Sequence, residues 1–159
     1  MKINLNLEDY VKVYLTNQGE KELSKIKNKE IYNYYFDEFG YLNIKLWALM
    51  KIFGPAIKDN KNYSYFDNEI TIIKKNNQND IKININDNIN TRLSNQGSIK
   101  IAFTNKFMYH FTHEMNGKIN ITLYELMQIF GNDIHNINPF DGDLEIITEQ
   151  NEKRKVINK

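Results

Sequence analysis

The chain has 159 residues, 41% of them apolar and 13% aromatic, with 21 basic against 20 acidic side chains, which is enough apolar material for a real core and no strong net field. It has no cysteine, which removes disulfides, thiolate zinc sites, iron–sulfur clusters and cysteine nucleophiles together. No apolar run approaches the ~18 residues of a membrane span, and Met1-Lys2-Ile3-Asn4 opens no signal peptide, so a cytoplasmic protein with no membrane partner is expected.

The first predicted strand is Tyr10 to Leu15, whose Val11, Val13 and Leu15 share one face. Thr16 then stands where a helix N-cap is wanted, with Glu20 and Glu22 suited to the positive helix end, and a first helix is predicted from about Gln18 to Phe39. Gly40 suits a left-handed residue ending that helix, before a short extended piece, Leu42-Asn43-Ile44. The second helix has the clearest pattern: Leu46, Leu49, Met50 and Phe53 fall at i, i+3, i+4 and i+7. Trp47 and Ile52 flank that stripe, which leaves Ala48 and Lys51 to face water, and Gly54-Pro55 is read as the stop. Glu69 to Lys74 closes the unit as a strand, followed by the wholly polar run Lys74 to Asp80.

The same elements then return. Lys2-Ile3-Asn4-Leu5-Asn6 matches Lys82-Ile83-Asn84-Ile85-Asn86, and Leu15-Thr16-Asn17-Gln18-Gly19 matches Leu93-Ser94-Asn95-Gln96-Gly97 after a two-residue deletion. From Gly40 to Ile57 against Gly117 to Ile134, ten of eighteen positions are identical without a gap. Phe66 to Ile73 corresponds to Phe140 to Ile147, and the second helix recurs with Leu123, Leu126, Met127 and Phe130 inward and Glu125 and Gln128 outward. Ile99, Ile101 and Phe103 alternate as in a strand, but the alignment places them on the first helix of the second copy. The predicted class is therefore α+β: two tandem β-α-β-α-β modules, residues 1–75 and 81–150, joined by a linker at 76–80 and followed by a charged tail at 151–159. A lone module of that size buries little surface, so the two copies are expected to share one core about a pseudo-two-fold axis, with any site at the junction or in the unequal loops.

Little in the sequence suggests catalysis or metal binding. His110-x-x-His113-Glu114 has the wrong spacing for a zinc hydrolase, and His135 lies after the second helix. Asp141-Gly142-Asp143 lacks the ligands of a calcium loop and reads as a turn. There is no glycine-rich phosphate loop and no nucleophile elbow, and Asp37-Glu38, neighbours on a predicted helix, diverge. No catalytic residue, metal or cofactor is assigned. The 19 lysines against only Arg92 and Arg154, with 25 Asn and 23 Ile, fit AT-rich coding, and a Lys-based surface disfavours a dedicated phosphate clamp. Residues 1–75 carry +2, residues 76–150 carry −4 and the tail +3, so duplex DNA is disfavoured as a partner.

Aromatic clustering points furthest toward binding. Ile31 to Phe36 holds Tyr34 and Tyr35, and Tyr63-Ser64-Tyr65 follows Lys61; tyrosine beside lysine serves a protein interface, stacks a nucleotide, or simply fills core. Tyr34, Tyr35, Lys61, Tyr63 and Tyr65 are the candidate ligand- or partner-binding residues.

Val11 to Gly19 (V-K-V-x-L-T-x-x-G), Leu46 to Gly54 (L-W-x-L-M-x-I-F-G) and Pro139 to Ile146 (P-F-D-x-x-L-x-I) resemble a recurring type of small phage and prophage protein of low-GC bacteria. Those proteins look like single modules, so the repeat departs from them. The resemblance implies a phage-encoded protein without enzymatic activity that binds a host protein or sequesters a small nucleotide, as an inhibitor of antiviral defence. The alternative is nucleic-acid binding or transcriptional regulation, because the helix start after Leu15-Thr16-x-x-Gly19 is reminiscent of winged-helix proteins. Further self-association stays open.

Overall fold

The computed structural model describes residues 2–60, 63–74, 80–104, 112–114 and 116–147. The tail and most of the linker therefore lie outside the described residues, as do Lys61 and His110. The fold is α+β, with two five-stranded antiparallel sheets and five helices among those residues. The first half contributes β1 (Lys2–Leu5), β2 (Tyr10–Val13), α1 (Asn17–Ser24), α2 (Lys29–Tyr32), β3 (Tyr35–Phe36), β4 (Leu42–Lys45), α3 (Leu46–Asp59) and β5 (Glu69–Ile73). The second contributes β6 (Ile81–Asn84), β7 (Asn88–Arg92), α4 (Asn95–Ala102), β8 (Thr112–His113), β9 (Lys118–Thr122), α5 (Leu123–Phe130) and β10 (Leu144–Ile147).

The strand orders are β3-β4-β2-β5-β6 and β8-β9-β7-β10-β1. Each sheet thus takes one edge strand from the other half, and neither sheet stays within the 1–75 and 81–150 boundaries. β1 pairs with β10 and β6 with β5, so the chain's first strand closes the sheet that its last described strand belongs to. The loops that carry this exchange are pinned twice. Asp9 accepts from Asn6 N at 3.0 Å and Asp87 from Asn84 N at 2.8 Å, tightening each loop. The carbonyls of Asp9 and Leu7 then accept from the first free amides of α3, Leu46 and Trp47, while those of Asp87 and Ile85 accept from Leu123 and Tyr124 of α5. These loops correct the alignment. Asn6 and Asp9 stand where Asn84 and Asp87 stand, so Leu5 is equivalent to Ile83 and no deletion separates the halves from β1 to α1. The alternating Ile and Asn of this stretch match better two residues out of register, so only pairing and capping fix the register.

Several predicted elements change as well. The first helix does not run to Phe39: α1 ends at Ser24, α2 is a single turn, and Asn33 adopts the left-handed region (φ 45°) before β3. Each half is therefore β-β-α-β-β-α-β in outline rather than β-α-β-α-β. Asp37-Glu38 lies in the turn between β3 and β4, not on a helix. Gly40 and Gly117 do hold positive φ (81° and 84°), but in the β3–β4 and β8–β9 turns, where Gly40 N bonds Asp37 O and Gly117 N bonds Glu114 O. Thr16 and Ser94 cap α1 and α4 as expected, each accepting at 3.2 Å from Gly19 N or Gly97 N.

The inner faces of both sheets and the helices form one apolar cluster, in which Val11, Ile44, Ile70, Ile89, Ile121 and Ile146 are fully buried. The predicted stripes of α3 and α5 lie at its centre, Leu46, Leu49, Met50 and Phe53 from one and Leu123, Leu126, Met127 and Phe130 from the other. Ala48 and Gln128, expected to face water, are buried too, because these helices pack against each other as well as against their own sheets. Gly54 does not end α3, which continues through Pro55 to Asp59. Its role is contact: a Cβ there would stand 2.3 Å from Met127 O, and one on Gly131 2.4 Å from Met50 O, so the two backbones touch where only glycine fits.

Since backbone rather than a flexible side chain would have to yield, Gly54→Ala and Gly131→Ala are each expected to destabilise the fold by about 3 kcal/mol, the upper end of overpacking costs. Urea midpoints of the purified variants check this. A midpoint shift within the scatter of ordinary surface substitutions would mean that the helices do not meet at these glycines.

Candidate functional site

The predicted binding residues do not form one site. Tyr34 and Tyr35 are adjacent in an extended segment and point to opposite sides. Tyr34 lines a cavity of about 290 Å3 with Glu20, Leu23 and Phe36, while Tyr35 lies opposite Asn43 on the outer face of its sheet. Tyr65 is buried beside Phe53, its hydroxyl donating to Ala56 O at 3.2 Å, and burial raises the pKa of its phenol. Tyr65 is thus part of the core. Tyr63 is exposed beyond the end of α3, and Lys61 lies outside the described residues.

What the tertiary structure assembles instead is an aromatic outer face on β3, β4 and β2. Tyr14, Tyr35, Phe39 and Tyr41 are 48%, 55%, 72% and 41% exposed, although two of them pack on each other, with the rings of Tyr14 and Tyr41 edge to face at 5.5 Å. Strand alternation produces this: Val11, Val13, Leu42 and Ile44 point inward, so Lys12, Tyr14, Tyr41 and Asn43 must point out. Tyr14, Phe39 and Tyr41 border a cavity of about 320 Å3 that runs across β2 and β5 to Lys82 of β6, with Asp67 and Asp80 at its rim. Tyr14, Phe39 and Tyr41 form no aromatic run, and only the pairing of β2 with β4 and the β3–β4 turn between Phe36 and Leu42 brings them together, so sequence reasoning missed them.

Asp37 organises this face. One carboxylate oxygen accepts from Phe39 N and Tyr41 N, both at 3.0 Å, and the other meets Lys12 at 3.1 Å and the Asn43 amide at 3.4 Å. Burial by itself would raise the pKa of Asp37, but the hydrogen bonds from Tyr41, Lys12, Asn43 and Phe39 together outweigh it and hold the carboxyl below its ordinary value. Asn43, 1% exposed, fills the space behind with its amide donating to Tyr41 O at 3.1 Å.

Among the described residues the second half presents no such face. At the positions equivalent to Lys12, Tyr14, Tyr35, Tyr41 and Asn43 stand Asn90, Arg92, Thr112, Lys118 and Asn120, which border a polar groove of about 620 Å3. At the junction of the halves, Trp47 packs on His135 with ring centres 5.2 Å apart, and on Tyr32 at 5.9 Å. The Asp-Gly expected to turn into the last strand does so, with Gly142 at φ 95°. Among the described residues no group of three His, Asp or Glu side chains is placed to hold a metal, and no helix is long and apolar enough to cross a membrane.

A carboxyl whose pKa is depressed by folding contributes stability that is complete above its unfolded value, about 4, and is lost as pH falls through the lower folded value. Asp37→Asn is therefore expected to flatten the acid limb of a plot of urea midpoint against pH below about pH 4. An unchanged acid limb in the variant would show that the Asp37 contacts are not made in solution.

Compared with protein-family models, curated proteins and solved structures, the chain matches none of them.

Proposed function

We propose that this is a non-enzymatic protein that acts by stoichiometric binding, with the aromatic face of β3, β4 and β2 docking against a partner protein. The observation that carries the reading is the exposure of Tyr35 on β3, Phe39 in the β3–β4 turn, and Tyr14 and Tyr41 at the adjoining ends of β2 and β4, on the outer side of a sheet packed against the core. Tyrosine is among the residues richest in interface binding energy, and rings held on strands lose little freedom on binding. A ring as exposed as Phe39 gains nothing for the isolated fold. Asp67 and Asp80, which form no ion pair among the described residues, suit a partner that places basic side chains around an apolar centre.

The sequence resemblance sets the biological frame of the proposal: a phage-encoded inhibitor acting in the bacterial cytoplasm on a host protein of antiviral defence. Sequestration of a nucleotide at the same face is less well supported, since Lys12 and Lys82, the cations bordering its cavity, are paired with Asp37 and Glu69. Nucleic-acid binding is weaker still, as α1, the helix that would read a groove, has eight residues and carries Glu20 and Glu22. We also read the two halves as tandem descendants of one module, packed pseudo-symmetrically. The sequence repeat, the matching strand orders and the paired caps support that origin.

In a lysate of the low-GC host, a protein retained by the wild-type chain and released by the triple variant Tyr14→Ala, Phe39→Ala and Tyr41→Ala is expected. With purified components, affinity should fall at least ~100-fold, or about 3 kcal/mol for three truncated anchors. Identical retention by wild type and variant, with the variant's circular dichroism and melting unchanged, would remove this face from the function.

A further inference from the structure

The polar groove on the other sheet carries a pair of cations that the fold does not explain. β7 and β9 are registered so that Arg92 lies directly opposite Lys118, both side chains outward and exposed. Like charges in that relation repel, and neither has a carboxylate partner among the described residues. The acids lining the same groove are engaged elsewhere. Glu145 meets Lys2 at 3.0 Å, Asp143 accepts from the Asn6 amide at 3.0 Å, and Glu114 accepts from the Asn116 amide at 3.0 Å.

The fold has no need of charge at these two positions, because their equivalents on the other sheet are Tyr14 and Tyr41, which pack on each other. Composition sharpens the point. In a chain with 19 lysines and two arginines, Arg92 is the one arginine among the described residues. A guanidinium differs from an ammonium in its planar fork, which matches two oxygens of one phosphate or carboxylate at once. Next to the pair, Asn90, Asn120 and Thr112 offer hydrogen-bonding groups, and among the described residues no aromatic ring lines the groove, which suits a hydroxylated body.

We infer that this groove is a binding site for a small phosphomonoester of a hydroxylated molecule, with Arg92 gripping the phosphate bidentately, Lys118 completing its charge, and Asn90 and Asn120 meeting the hydroxyls. The bound phosphate relieves the repulsion across the two strands. This site is independent of the aromatic face on the other sheet.

Ribose 5-phosphate, ribose, inorganic phosphate and sulfate, titrated into the full-length 15N-labelled protein, form the test. Expected are saturable shifts of the Arg92, Lys118, Asn90 and Asn120 amides with ribose 5-phosphate, half-saturated below about 10 mM, weaker ones with phosphate, and none with ribose alone. Arg92→Lys, which keeps the charge but loses the fork, should weaken binding about tenfold, and Arg92→Gln with Lys118→Gln should abolish it. Lys82→Gln, on the opposite sheet, should bind as wild type does. Removing the cation pair should also leave the ligand-free protein at least as stable to heat. Equal responses to sulfate and ribose 5-phosphate, indicating an adventitious ion only, would overturn the proposal, as would shifts that persist in the double variant or fail to saturate.

Discussion

The contact between α3 and α5 at Gly54 and Gly131 constrains everything around it. Two helices whose backbones touch bring their flanking side chains, Met50, Phe53, Met127 and Phe130, into one shared core, and with them the sheets on which each helix rests. That arrangement brings each half's first strand within reach of the other half's sheet. The loops that follow β1 and β6 close the structure, since they cap α3 and α5 while their strands pair across the molecule. Helix contact, capping and strand exchange are thus one interlocked device, and none of the three has an obvious substitute if another is lost.

A consequence of this interlocking is a division of labour between the two faces of each sheet. Inward positions of the two halves keep nearly the same side chains: Val11 and Ile89, Ile44 and Ile121, Ile72 and Ile146, Phe66 and Phe140. Outward positions have separated into rings on one sheet and ions and amides on the other. The core has no freedom to change because it is packed from both sides, whereas an outward residue of an antiparallel strand is constrained only by its neighbours on the same face.

How much of this was legible in the sequence follows from the range of the interactions involved. The inward stripe of the second helix, the caps at Thr16 and Ser94 and the left-handed conformation of Gly40 were readable, because each depends on residues within one or two turns of chain, whereas the hairpin that Gly40 turns was not. The first helix stops at Ser24 instead of running to Phe39, and Asn33 turns left-handed and releases Tyr35-Phe36 to pair with β4; nothing local to the chain announces that pairing. The aromatic face escaped notice for the same reason. Tyr14 and Tyr41 become neighbours only through the pairing of β2 with β4, as Arg92 and Lys118 do through β7 and β9.

By itself the sequence determined the inward stripes of α3 and α5, the caps that begin α1 and α4, and that two stretches of chain follow one pattern, because amphipathic spacing and capping act over a few neighbouring residues. Only the tertiary structure decided which half supplies each edge strand, that Gly54 serves helix contact instead of helix termination, and which polar side chains share a surface. Those outcomes depend on backbone hydrogen bonds and close approaches between segments tens of residues apart, and a backbone group carries no mark of its partner in the sequence.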